Sequence, residues 1–340
     1  MTQATDQAIA TIVDALEADN VDTRTRRLLK SMLETCTSMA RAGTRVADLK
    51  LVDAALSEIH AALTCFQAYP HSPKVTVFGS ARTQADAQEY QLAREFSRAL
   101  ADAGFMVITG AGPGIMQAAQ EGAGRARSFG VNIRLPFENT ANREIRDDPK
   151  LIEFKYFFTR KLFFLKESAA VALFPGGFGT HDECFETLTL VQTGKSQMVP
   201  IVFLDVPRGT YWKTWDQYVH DHLLRKGLIS TEDLALYKVT DDLNEAVNEI
   251  TNFYRIYHSS RTIRSNFVIR TTHVLSDAQL ENLSGEFADI LDGRPIFRRG
   301  PFEEESDEPE LAALPRIILN FDMRSYGRLR QLIDRINSPK

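Results

Sequence analysis

The stretch Ala170-Val171-Ala172-Leu173-Phe174-Pro175-Gly176-Gly177-Phe178-Gly179-Thr180-His181-Asp182-Glu183 decides how this chain is read. Its first five residues are apolar without a break, too short a run for a helix and suited to a strand covered on both faces. Pro-Gly-Gly then ends the strand, and a helical pattern restarts over 180–194. Working outward, the same order recurs. Candidate strands at 75–78, 105–109, 131–135, 170–174, 200–204 and 237–239 alternate with helical patterns near 84–103, 114–128, 159–168, 180–194, 211–226 and 242–257. Apolar strands separated by helices predict an α/β fold, a Rossmann-like doubly wound parallel sheet with helices on both faces.

Either side of this core the rhythm differs. Leu49, Val52, Leu56, Ile59, Leu63 and Phe66 recur at steps of three and four, so residues 1–70 read as a helical extension. Pro70 and Pro73 close it and release the chain into the main domain, taken as 71–260. Residues 261–340 read as a small α+β appendage, with strands at 266–270, 295–297 and 316–321 and helices at 277–291 and 325–336. Six of the eight residues at 303–310 are acidic, which predicts a solvated loop or an insert without fixed structure.

Composition narrows the function classes. With 44% hydrophobic and 25% charged residues among 340, the chain can bury a core and is not disordered throughout. A formal charge of −5 argues against a general nucleic-acid or membrane-surface binder. Cys36, Cys65 and Cys184 are odd in number and far apart, which suits a reducing compartment and no zinc site. No apolar run is long enough for a bilayer, and the acidic N-terminal stretch lacks the pattern of a signal peptide. The expectation is a cytoplasmic protein.

Three glycine-rich turns follow three of the candidate strands. They are Gly79-Ser80-Ala81-Arg82, Gly110-Ala111-Gly112-Pro113-Gly114-Ile115-Met116, and Gly176-Gly177-Phe178-Gly179-Thr180. In a parallel sheet all three fall at the carboxyl edge, where ligands bind. Glycines let main-chain N–H groups approach an anion, and helices starting at Gly114 and Thr180 direct their positive ends at it. None has the spacing of the dinucleotide fingerprint or the Walker lysine. One such turn alone is a tight strand-to-helix connection; three on one edge predict a phosphate-bearing small molecule.

Two charged positions stand beside the turns. Arg160-Lys161 interrupts an aromatic run, as a solvated helix face or as ligand-binding cations. Glu183 lies three residues after Thr180, the spacing of a capping box, in which the Glu only bonds its own helix start. Weaker candidates on the same helix are His181, Asp182, Glu186, Thr189 and Gln192. Cys184 reads as packing, because no His is placed to activate it.

Pro175-Gly176-Gly177-Phe178-Gly179-Thr180-His181-Asp182-Glu183 resembles the PGGxGTxxE signature of the Lonely Guy (LOG) family, cytokinin-activating nucleoside 5′-monophosphate phosphoribohydrolases often labelled lysine decarboxylases. Arg160-Lys161 falls where that family has its Arg-Lys pair, the 109–116 turn resembles TGGGPGIM, and Gly79-Ser80 resembles the first phosphate-side turn. The resemblance spans about 74–257. Ala111 replaces a usual glycine and His181-Asp182 a common Leu-Glu.

The resemblance implies hydrolysis of the N-glycosidic bond of AMP or N6-modified AMP to free base and ribose 5-phosphate. It implies Arg160 and Glu183 as catalytic residues. Gly79, Ser80, Gly110, Gly112, Gly114, Ile115, Met116, Lys161, Gly176, Gly177, Gly179 and Thr180 would hold the substrate and its phosphate. It calls for no metal and no cofactor, a nucleoside monophosphate as partner, and a homodimer or larger homo-oligomer with 159–168 and 180–194 near the interface. A carrier or sensor that binds a nucleotide or other phosphorylated ligand without turnover is the alternative. A pyridoxal-dependent decarboxylase is disfavoured, since no lysine is singled out as a Schiff-base partner.

Overall fold

The computed structural model describes residues 2–134 and 141–338. Helices α1 (Thr2–Ala18), α2 (Thr23–Arg41) and α3 (Val46–Gln67) come first. The chain divides into two compact units, one running to His60 and one from Ala61, so that the division falls inside α3. In the first unit the Asp22 carboxylate accepts the N–H groups of Arg24 and Thr25 at 2.9 and 3.0 Å, which starts α2. Ion pairs of Arg26 with Glu17 at 2.6 Å and Arg41 with Asp6 at 3.1 Å join opposite ends of α1 and α2, making an antiparallel hairpin.

The second unit carries β1 (Lys74–Phe78), α4 (Gln88–Asp102), β2 (Met106–Thr109), α5 (Ile115–Ala123), β3 (Ser128–Ile133), β4 (Leu151–Phe154), α6 (Phe157–Lys166), β5 (Ala170–Leu173), α7 (Phe178–Gln192), β6 (Ile201–Leu204), α8 (Tyr211–Tyr218), β7 (Lys238–Thr240) and α9 (Leu243–Phe253). The seven strands form one parallel sheet in the order β4-β3-β2-β1-β5-β6-β7. Val75, Val77, Val107, Ala170, Ala172 and Val202 put one face against Phe96, Leu100, Ile115 and Ile250, all buried. The α/β doubly wound expectation holds. β1 leads outward to β2 on one side, while β5 returns on its other side. The crevice above the β1/β5 pair is therefore the switch point, where such sheets bind ligands.

The structure differs from the sequence reading in its details. β4 was not expected: it has four residues, and only Ile152 and Phe154 are buried, as at a sheet edge. β3 starts at Ser128, three residues before the expected 131, because Ser128, Phe129 and Gly130 pair with β2; a Cβ at Gly130 would meet Leu151 Cδ1 at 2.7 Å. The last expected residue of that strand, Leu135, lies outside the described residues. α9 stops at Phe253, and Tyr257–Ile263 is a strand, not the end of a helix.

The C-terminal α+β expectation also holds. β8 (Tyr257–Ile263), β9 (Asn266–Thr271), α10 (Asp277–Glu286), β10 (Phe297–Arg299), β11 (Arg316–Leu319) and α11 (Tyr326–Asn337) include a four-stranded antiparallel sheet, β10-β11-β9-β8. Asn337 ties α11 to the end of α9: its amide donates to the Phe253 carbonyl at 2.6 Å and accepts from Ile256 and Tyr257 N–H at 2.8 and 3.0 Å.

The acidic segment 303–310 is not simply solvated. Glu305 is 3% exposed and accepts from Arg270 Nε and Nη2 at 2.9 and 2.6 Å, and from Arg316 Nε at 3.0 Å. Phe302 N–H adds a bond at 2.8 Å. Two arginines buried at the strand ends need a carboxylate, and the loop supplies it.

Candidate active site

The three glycine turns meet above β1, β2 and β5 and are joined by main-chain bonds. Ser80 N–H donates to the Pro175 carbonyl at 3.1 Å, and Ile115 N–H donates to the Ser80 carbonyl at 3.0 Å. Gly114, at φ 66°, carries the close approach: a Cβ there would lie 2.3 Å from the Ser80 carbonyl oxygen. The turns border a cleft of about 770 Å³.

Of the residues expected at the site, Gly79, Ser80, Gly110, Met116, Arg160, Gly176, Gly177, Gly179, Thr180 and Glu183 line this cleft. Gly112, Gly114, Ile115 and Lys161 do not. Ile115 is fully buried, and its N–H is already taken by Ser80. Gly112 gives room to Met116, whose Cε would lie 2.6 Å from an added Cβ. Ala111, at φ 60°, packs its methyl with Ala141 and Ile145, away from the lining.

α7 begins at Phe178 with Gly177 as its N-cap, and no side chain caps it. Thr180 is therefore inside the first turn, and the capping-box reading of Glu183 does not apply. The N–H groups of Phe178 and Gly179 belong to the turn that an α-helix leaves without internal partners, next to the cleft. Gly177 and Gly179 each face open space.

Glu183 projects from the second turn of α7, its side chain 13% exposed. Burial raises its pKa; the charges of Lys161 and Arg160 oppose this, and Glu186 adds to it. Arg160, from α6, lies across Gly110 and over the Phe164 ring at 4.9 Å. Burial brings its pKa down to about 10, against the field of Glu183, and its Nε is buried without a partner among the described residues. It remains a cation at pH 7.

Lys161 points the other way. Its Nζ lies 2.9 Å from Asp182, 3.3 Å from Glu183 and 2.6 Å from Glu186. Burial works against its charge, but hydrogen bonds to Glu186 and Asp182 and the field of Glu183 outweigh this and hold its pKa above the ordinary lysine range. The phosphate role expected of Lys161 thus meets a physical obstacle: three carboxylates already hold it.

Sequence reasoning passed over Arg82, Phe157 and Phe178 as cleft-lining residues, whereas Asp182, one of its weaker candidates, does line the cleft. Arg82 is exposed, and its guanidinium has no partner among the described residues; a cation two places after a Gly-Ser turn was the available signal. Phe178 is 97% exposed, an unusual state for an aromatic ring. His181 also lines the cleft. Gln192 does not, since it donates to Asp233 at 2.7 Å at the far end of α7. Cys184 is buried, which drives its thiol pKa up to about 12 and leaves it inert at neutral pH.

The family model described as possible lysine decarboxylase, the older label of the LOG family, matches residues 114–250. Over that segment the chain is similar to the LOG family. The match includes Arg160, Glu183 and the third turn and begins at Gly114, after the first turn. No curated protein matches the chain. Among solved structures, the molybdenum cofactor binding protein from the phototrophic bacterium Rippkaea orientalis is 18% identical, over 53% of this chain and 96% of that one, with a TM-score of 0.38. The Moco carrier protein from Chlamydomonas reinhardtii is 21% identical over 53% and 96%, TM-score 0.37. DNA processing protein A from Helicobacter pylori is 15% identical over 53% and 80%, TM-score 0.37. Among the described residues, no helix is long and apolar enough to cross a membrane.

Proposed function

We propose that the cleft hydrolyses the N-glycosidic bond of a nucleoside 5′-monophosphate, AMP or N6-modified AMP, releasing free base and ribose 5-phosphate. The observation that carries this reading is the placement of Glu183 and Arg160 on one cleft that the glycine turns also line. Breaking the bond develops positive charge on the ribose ring while water attacks C1′. Glu183 stabilises that charge and orients the water, and its raised pKa suits a group that also moves a proton. Arg160 anchors the nucleotide and steadies the departing base. The turns at Gly79-Ser80 and Gly177–Thr180 hold the 5′-phosphate, so that binding energy from a remote group places the anomeric carbon.

With Lys161 held by acids, Arg82 is the cation available to the phosphate. The same observation disfavours a decarboxylase. A Schiff-base lysine needs a lowered pKa, whereas Lys161 is held charged.

We also propose a homodimer through α6 and α7, whose Phe158, Leu162 and Phe185 are exposed apolar residues close to the cleft. Light scattering on the purified chain tests it. For the reaction, the chain is incubated with AMP and with isopentenyladenosine monophosphate, and free base is sought by chromatography. Release that is abolished in Glu183→Gln supports hydrolysis. Binding without release would make the protein a carrier or sensor of a phosphorylated ligand.

A further inference from the structure

Behind the third turn, two side chains meet its main chain. Tyr211 Oη donates to the Gly176 carbonyl at 2.5 Å, and His181 Nε2 lies 2.7 Å from the same Oη. A phenol has one proton. With that proton on Gly176, the tyrosine oxygen accepts from His181, which fixes the ring as its Nε2–H tautomer. Burial pulls the His181 pKa below the ordinary imidazole value and pushes the Tyr211 phenol up, so both are neutral near pH 7.

Tyr211 is itself anchored. Its N–H donates at 2.9 Å to Asp205, a 3%-exposed carboxylate just past β6 that also accepts Val206 N–H at 2.9 Å. A Cβ at Gly209 would lie 2.3 Å from that carboxylate, so the loop closes tightly around it. His181 is packed by Tyr211 and Trp212, with ring centroids 5.9 and 5.7 Å away. The third turn is thus braced from the neighbouring strand.

In a trans peptide the carbonyl of one residue and the N–H of the next point in opposite directions. Gly176 and Gly177 line the cleft, and Tyr211 does not. Drawing the Gly176 oxygen back to Tyr211 therefore turns the Gly177 hydrogen the other way. We propose that Tyr211 and His181 are positioning residues that aim the Gly177 N–H at the anionic group of the ligand. The inference rests on reading the cleft as a nucleotide site, and it extends that reading to Tyr211, outside the lining, and to His181, whose Nε2 is engaged by Tyr211.

The test is calorimetric titration of the full chain with inorganic phosphate, AMP and adenosine, for wild type, Tyr211→Phe, His181→Leu and His181→Gln. Tyr211→Phe is expected to weaken phosphate and AMP about tenfold, the scale of a hydrogen bond to a charged group, and to leave adenosine unchanged. In turnover the same loss should appear in KM with little change in kcat. His181→Leu should weaken both anions, and His181→Gln, which keeps an N–H donor, should recover most of the loss. Anion affinity unchanged in both Tyr211→Phe and His181→Leu overturns the proposal, as does an equal loss for adenosine. Wild type that binds phosphate but not AMP defeats the nucleotide reading while the brace is still judged on phosphate. Wild type that binds neither overturns both.

Discussion

Arg160 lies against Gly110 so closely that a Cβ on the glycine would sit 2.7 Å from guanidinium Nη2 and 2.9 Å from Met116 Sδ. The glycine of the second turn thus makes room for a side chain from α6. Both obstructing atoms are at the ends of long side chains, so Gly110→Ala should fold and displace the arginine. The expected outcome is a fall in kcat/KM of about a hundredfold, the scale of an ångström-sized misplacement of a catalytic group. Thermal stability should be nearly unchanged. Gly114→Ala is the contrasting variant: its clash is with backbone at positive φ, so soluble yield and Tm should drop.

Glu183 must be ionised to steady a cationic sugar, so the rate should fall on the acid side as pH passes its pKa, above the ordinary value of 4.5. Lys161 and Arg160 lower that pKa, and Glu186 raises it. Lys161→Met removes one opposing cation and leaves Asp182 and Glu186 unneutralised. Both effects raise the pKa further, so the acid limb of the pH–rate profile should move to higher pH. A limb that stays in place or moves down would remove Lys161 from control of Glu183.

Arg82→Ala should weaken AMP binding about tenfold, as loss of a charge-assisted hydrogen bond does, with adenosine unaffected. Calorimetry at two salt concentrations adds a check. The wild-type preference for AMP over adenosine should shrink with salt, and the variant's preference should shrink less.

Glu305 predicts how the C-terminal layer responds to acid. Burial raises its pKa, but bonds from Arg316, the Phe302 N–H and Arg270 outweigh this and bring it from 4.5 to about 2. A depressed carboxylate contributes stability that is complete above the unfolded-state value. That contribution is lost as pH falls from 4.5 toward 2. Removing it by Glu305→Ala leaves buried Arg316 without its carboxylate and Arg270 with Glu308 alone, and should cost about 3–5 kcal/mol in denaturant unfolding. The variant's stability should also fall less steeply than wild type's in that acid window, the other depressed carboxylates such as Glu121 and Asp148 supplying the rest of the slope.

The sheet was legible where strands are buried on both faces, because β5 and β6 then read as unbroken apolar runs and β1 and β2 as runs broken only by Lys74, Thr76 and Thr109. β4 and β8 were not, since Leu151-Ile152-Glu153-Phe154 is an edge strand and Tyr257-His258-Ser259-Ser260 is mostly polar. At the site, the turns and Glu183 stand out because their chemistry is written in adjacent residues. The acids around Lys161 were harder to read. They lie on α7 and the lysine on α6, 25 residues away for Glu186, and only folding reveals the pairing. Tyr211 is 35 residues from Gly176 and carries no motif, so its bond to that carbonyl left no local trace. Glu305 was hidden in a run of like charges whose partners, Arg270 and Arg316, lie at the ends of apolar strands.

Ser80 joins its two neighbouring turns through its own N–H and carbonyl, and the side chain takes no part in either bond. The seam of the cradle is therefore indifferent to what is attached at position 80, while positions 79, 114 and 176 tolerate no added carbon without displacing a neighbour. Descendants of this chain could rewrite the chemistry facing the ligand at residue 80 and keep the contour of the cradle intact. Drift at those three glycines would change the contour first, before any reacting group was altered.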